Sequence, residues 1–103
     1  MEYPNPDSKS AALYGRAQSV LPDGNSRTTI ALKPYPIYIE EASGADVTDV
    51  DGNRFIDFNN NYTSLLHGHC FEPVRKAVEA QIVKATACSF TTEAVIELAD
   101  LLC

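Results

Sequence analysis

The sequence predicts an α+β segment: an amino-terminal helix, a three-stranded antiparallel meander and two further helices. Two observations carry this. Apolar residues recur at three- and four-residue spacing early in the chain and twice more in its last third, and between them lie three short β-prone runs divided by turn formers.

Residues 1–7, punctuated by prolines, are expected to form a flexible tail. Asp7 or Ser8 can cap the helix that follows, whose positions Leu13, Ala17, Val20 and Leu21 share one face. Pro22-Asp23-Gly24 should end it. Pro34 and Pro36 lack backbone donors, so the stretch leading to them is an extended loop.

The β-prone runs are residues 37–40, 45–50 and 54–58. Ala42-Ser43-Gly44 fits the first bend. Asp51-Gly52-Asn53 fits the second, because glycine and asparagine tolerate the positive φ of a tight hairpin. Asn59-Asn60-Asn61, Tyr62 and the stretch to His69 show neither helical nor strand periodicity and read as a loop.

Pro73 suits a first helical turn, and the helix it opens should bury Val74, Ala77, Val78, Ile82 and Ala85 on one side. Glu72, Arg75, Lys76, Glu79 and Lys84 occupy the rest of its surface. A last helix starts after Thr91 or Thr92, with a stripe of Val95, Leu98, Ala99 and Leu102 still running at Cys103. Three strands and helices with apolar faces need a partner to pack on, so a larger protein is expected.

The 103 residues carry a formal charge of −6. Spread carboxylates repel both a phosphate backbone and an anionic bilayer, which argues against nucleic acid as a partner. No stretch approaches the roughly 20 apolar residues needed to span a membrane, so a soluble cytoplasmic protein is expected. Cys70, Cys88 and Cys103 form neither an even set nor a CxxC pair, and free thiols are the simpler account.

Several motifs resolve into bland chemistry. Asp49-Val50-Asp51-Gly52-Asn53 resembles a calcium loop, but its glycine is at the fourth position and Asn60 stands where a bidentate glutamate belongs, so a hairpin turn is the better account. His67, His69 and Cys70 are too few for a structural zinc site; His69 is expected to bond backbone in a tight turn made by Gly68. No nucleophile elbow, Walker loop or dinucleotide fingerprint is present. Arg27 is the charge of interest, because a guanidinium on a polar loop can clamp a carboxylate with two parallel hydrogen bonds. Tyr62 could wall a ligand pocket or merely cover the meander.

Four segments together resemble the start of class III, fold-type I aminotransferases, particularly those similar to glutamate-1-semialdehyde 2,1-aminomutase. They are Leu13-Tyr14-Gly15-Arg16-Ala17 with Leu21-Pro22-Asp23-Gly24-Asn25-Ser26-Arg27; the run from Gly44 to Phe58; Gly68-His69; and Thr92-Glu93-Ala94-Val95-Ile96-Glu97-Leu98-Ala99. The run through Asp49-Val50-Asp51-Gly52-Asn53 is the most specific.

This resemblance implies a pyridoxal 5'-phosphate enzyme working as a homodimer on amino acid and keto acid substrates. Residues 8–70 would then be the amino-terminal part of its small domain, and residues 71–103 the helices leading into a large cofactor-binding domain. The cofactor lysine and the other cofactor-binding residues belong to later parts of such enzymes, so no catalytic, cofactor or metal residue is expected here. Arg27 would hold the substrate carboxylate, Ser26 would add a hydrogen bond, and Asn61 and Tyr62 would shape the pocket.

Ser26 and Arg27 adjoin, whereas the aminomutase pattern has proline and valine between them; this looks more like relatives acting on β-amino acids. After Gly68-His69 the residues Cys70, Phe71 and Glu72 depart from the family's small residue, histidine and proline. The alternatives are an aminomutase, and a truncated, non-catalytic product that acts as an interaction module through its apolar faces.

Overall fold

The computed structural model describes residues 2–103, which separate into two compact units, one ending at Phe71 and one of Glu72–Cys103. Each is considered by itself.

The first unit opens with α1, Lys9–Gln18. Ser8 is the cap: its extended backbone turns its hydroxyl oxygen to accept the Ala11 amide at 3.1 Å. The helix ends three residues before Leu21, short of the expected stop. Leu21 precedes a proline and is forced into extended backbone, while the Ser19 hydroxyl takes up the Arg16 carbonyl at 2.7 Å. A 3₁₀ turn, Pro22–Gly24, follows, and Val20 is left exposed instead of joining the helix face. Gly24 sits at φ +68° against Tyr14, where an added Cβ would come 2.6 Å from the ring.

The meander has strands β1 Ile39–Ser43, β2 Asp46–Asp49 and β3 Arg54–Ile56, paired antiparallel in the order β1-β2-β3. Ser43 pairs with Asp46, so the first turn is Gly44 and Ala45, with Gly44 at φ +57°. The expected bend at Ala42-Ser43-Gly44 therefore moves, and Ala42 and Ser43 belong to the strand. The start also moves, from Ile37 to Ile39, next to a segment in which prolines withhold ladder donors. The second turn falls at the expected Asp51-Gly52-Asn53, with Gly52 at φ +85°.

What fastens α1 to the sheet is polar. Asp49, only 2% exposed, accepts the amides of Asp51 (3.0 Å) and Asn53 (2.7 Å) and the Asn53 side-chain amide (2.9 Å), which rigidifies the hairpin tip. The tip then presents Asp51 to α1, where its carboxylate accepts the Lys9 amide at 2.6 Å and the Ser10 amide at 3.1 Å. A negative charge at a helix amino terminus meets both the unpaired amides and the helix dipole. Tyr35, also buried, bonds the backbone of Asn5 through its hydroxyl, and Tyr3 packs on its ring edge to face at 5.1 Å.

In the second unit α3 spans Glu72–Ile82 and α4 spans Glu93–Leu102. Glu72 pairs with Lys76 at 2.7 Å and Glu79 with Arg75, both at helical i,i+4 spacing on the polar face. The apolar stripes of Val74, Val78 and Ile82, and of Val95 and Leu98, are all more than half exposed, and Ala85 lies past the end of α3. The expected burial of these faces is thus absent within the described residues, because nothing in either helix's own unit is large enough to cover them. Thr92 stands at the start of α4 but caps it only through backbone. Among the described residues no helix is long and apolar enough to cross a membrane.

Candidate functional site

The Asn59-Asn60-Asn61-Tyr62 stretch is more ordered than its lack of periodicity suggests. Asn60, Asn61, Tyr62 and Thr63 have φ of 52°, 49°, 58° and 64°, so α2, Asn60–Thr63, is one turn of left-handed helix made without glycine. Such a conformation costs about 1–2 kcal/mol per ordinary residue, less for asparagine. Local bonds offset it. Asp57 accepts the Asn59 and Asn60 amides at 2.8 and 2.9 Å; Asn59 accepts the Tyr62 amide at 2.7 Å; Asn60 donates its side-chain amide to the Leu65 carbonyl at 2.7 Å. The run of asparagines is there because short amide side chains tolerate this region and bond their own backbone.

Asp57 is held in turn by His69, whose Nε2 lies 2.7 Å from its other carboxylate oxygen, with both side chains about one-fifth exposed. An ionised carboxylate only accepts, so Nε2 carries the proton. The His69 hydrogen bond and the amides of Asn60 and Asn59 hold the Asp57 carboxyl below its ordinary value, outweighing desolvation. The histidine is itself fixed to the sheet, because its backbone exchanges two hydrogen bonds with Gly44, at 2.8 and 2.9 Å. The expected turn at Gly68 is present, at φ +76°. The imidazole, however, bonds a carboxylate where backbone was expected, since Asp57 offers a charged acceptor. His67 stacks on Phe71 at 4.3 Å, and the three cysteines are free.

Ser26 and Arg27 occupy the loop between the Pro22–Gly24 turn and a second 3₁₀ turn, Thr28–Ile30, and both are exposed. Among the described residues Arg27 has no ion-pair partner. Asn25 and Ser26 border a cavity of about 490 Å³ whose other walls include Ile30, Leu32, Pro36 and Ile39. The Asn25 Oδ1 is buried with no protein partner. Tyr62 reaches this loop from the left-handed turn: its hydroxyl stands 3.5 Å from the Thr29 carbonyl oxygen.

The structure thus brings Tyr62 to the 3₁₀ turn that follows Ser26 and Arg27. Asn61 does not reach it, and donates instead to the Ser64 hydroxyl at 2.9 Å. Sequence reasoning missed Asp57 as the organiser of the turn. The available signal was an aspartate closing a β-prone run just ahead of three asparagines, the composition of consecutive side-chain-to-backbone turns.

The family described as class-III aminotransferase matches residues 29–103. A glutamate-1-semialdehyde 2,1-aminomutase of Methanoculleus marisnigri is 38% identical over 91% of this chain and 23% of its own length. Among solved structures, an omega-transaminase from Sphaerobacter thermophilus superposes with a TM-score of 0.93 at 45% identity, covering 97% of this chain and 23% of that one. A transaminase with PLP bound gives 0.87 at 48%, covering 89% and 22%. A beta-phenylalanine aminotransferase from Variovorax paradoxus gives 0.85 at 29%, covering 91% and 22%. The chain spans less than a quarter of the length of each of these relatives.

Proposed function

We propose, from the premise that this chain belongs to the class-III aminotransferase family, that it is the amino-terminal part of a pyridoxal-phosphate-dependent aminotransferase and reads the substrate's carboxylate. The donor is an amino acid of the β-amino class and the acceptor a keto acid; the complete enzyme works as a cytoplasmic homodimer.

Pyridoxal phosphate, when bound to such an enzyme, supplies the electron sink through which an amino group leaves one substrate for another. The residues of this chain do not suit its attachment. Lys9, Lys33, Lys76 and Lys84 are all on the surface, and Lys76 is paired with Glu72. None is the desolvated amine that such chemistry uses. Cofactor attachment is therefore assigned to other parts of the enzyme.

What remains for this chain is binding and orientation. Arg27 offers a planar fork of donors that matches a carboxylate, and Ser26 adds a hydroxyl beside it. Tyr62 closes one side with an aromatic face and a polar tip, while Asn61 braces the turn that carries it. The observation on which this reading rests is the approach of Tyr62 to Thr29, which draws the left-handed turn onto the loop bearing an unpaired guanidinium. Likeness to a beta-phenylalanine aminotransferase, and the adjacency of Ser26 and Arg27, favour β-amino acids.

A second reading, glutamate-1-semialdehyde 2,1-aminomutase, is supported by the 38% identity to such an enzyme. Assaying the full-length protein, loaded with cofactor, on a β-amino acid with a keto acid and separately on glutamate-1-semialdehyde separates the two. Conversion of the semialdehyde alone would remove the aminotransferase reading. Activity on neither would favour a non-catalytic product that docks through apolar faces such as that of α4.

A further inference from the structure

We propose that His69 is a positioning residue: by fixing Asp57 it holds the left-handed turn Asn60–Thr63, and with it Tyr62, against the loop that binds the substrate carboxylate. This rests on the assignment of Arg27 to that carboxylate.

The chain of contacts is continuous. Gly44 anchors the His69 backbone to the first sheet turn through two hydrogen bonds. From there Nε2 reaches Asp57 Oδ2 at 2.7 Å, and Asp57 Oδ1 accepts the Asn59 and Asn60 amides. Those two amides open a turn of four non-glycine residues in the left-handed region. A conformation so unfavourable in isolation persists only where its surroundings over-determine it, and Asp57 is the charged member of those surroundings. If the carboxylate is free to rotate, the two amides lose their acceptor. The backbone then relaxes toward the right-handed region, which redirects the Tyr62 side chain away from Thr29.

The pair is also poorly explained as stability alone. Tyr62 is 58% exposed, so among the described residues the turn buries little apolar surface in return for its strain. Strain held by a carboxylate–imidazole hydrogen bond and ending in an exposed aromatic residue that reaches Thr29, two residues beyond Arg27, is the pattern of a positioned site.

The test uses the full-length enzyme with His69→Ala, His69→Gln and, as a control outside the relay, Arg54→Gln. Glutamine can place an N–H donor where Nε2 stands. His69→Ala is expected to raise KM for a carboxylate-bearing donor about tenfold, to leave kcat/KM for a primary amine without a carboxyl group nearly unchanged, and to be largely rescued in His69→Gln. Equal loss on both amines, or no loss on either, overturns the proposal. Hydrogen exchange of peptides covering residues 57–66 supplies a readout independent of activity. Exchange about tenfold faster in His69→Ala, but not in Arg54→Gln, is expected from loss of the turn's anchor; unchanged exchange overturns the proposal whatever the kinetics. A wild-type protein inactive as a transaminase would sink the functional reading, while the exchange result would still decide whether His69 holds the turn.

Discussion

Gly68 passes so close to Gly44 that a Cβ built on it would lie 2.6 Å from the Gly44 carbonyl oxygen. Both glycines have positive φ, +76° and +57°, but only the first faces a neighbour, since nothing lies within 4 Å of a Cβ placed on Gly44. The two backbones meet there to form the bridge that fixes His69.

Gly44→Ala should therefore cost about 1 kcal/mol, the conformational penalty alone. Gly68→Ala adds a backbone clash and should cost about 2 kcal/mol or more. Urea unfolding of the full-length variants checks the order, and equal costs would mean the close approach at Gly68 is relieved by a small shift.

Asp49 carries the hairpin tip, with three donors turned to a carboxylate that is 2% exposed. Asp49→Ala leaves those donors without a partner in a site with little access for water. A loss of about 1–3 kcal/mol is expected, along with faster amide exchange in the first turn of α1, because the tip positions Asp51. Asp51→Ala should speed exchange at Lys9 and Ser10 on the order of fivefold, in line with loss of a helix cap.

Much of this arrangement was legible in the sequence, and the reasons it was or was not are local. Ser8 announces a helix start, and Asp51-Gly52-Asn53 announces a hairpin, because each relies on a side chain acting on its own backbone neighbours. The first turn falls one or two residues beyond where its composition points, since Ala42-Ser43 suits a bend or a strand equally and only the register with Asp46 and Val47 decides. The left-handed turn was hidden because three asparagines signal departure from helix and strand without saying toward what. His69 to Asp57 is a contact across twelve residues that no periodicity encodes. Arg27 and Tyr62 stood out as candidate residues; that Tyr62 reaches the Arg27 loop, through Thr29, is visible only in three dimensions.

Asp51 and Asp57 both have carboxyl groups held below their ordinary value of 3.8. For Asp51 desolvation acts the other way and is outweighed by the Lys9 and Ser10 amides, the Ser10 side chain and the Lys9 charge; for Asp57 the His69 hydrogen bond leads. A folded value below the unfolded one makes the stabilisation complete above pH 3.8 and removes it as pH falls through the folded value. The difference in Tm between wild type and Asp57→Asn should accordingly shrink in acid below that point. A difference that grows as pH falls below 3.8 would contradict the direction of the shift.

The sharpest prediction concerns Arg27. Its side chain is exposed on a loop held by two 3₁₀ turns, and it has no carboxylate partner among the described residues. Removing it should therefore cost the fold little, within about 0.5 kcal/mol, as for most exposed positions. On the proposed assignment binding is different, because the substrate carboxylate would lose two charge-assisted hydrogen bonds. Arg27→Ala in the full-length enzyme should raise KM for carboxylate donors about 10- to 100-fold, with a smaller change in kcat. Arg27→Lys restores the charge but not the fork, so it should recover only part of the loss. Steady-state kinetics on a β-amino acid and on an amine lacking the carboxyl group, with Tm recorded alongside, distinguishes this from unfolding. Unchanged KM in Arg27→Ala would assign the carboxylate to another part of the enzyme and leave Tyr62 and its turn without a substrate group to face.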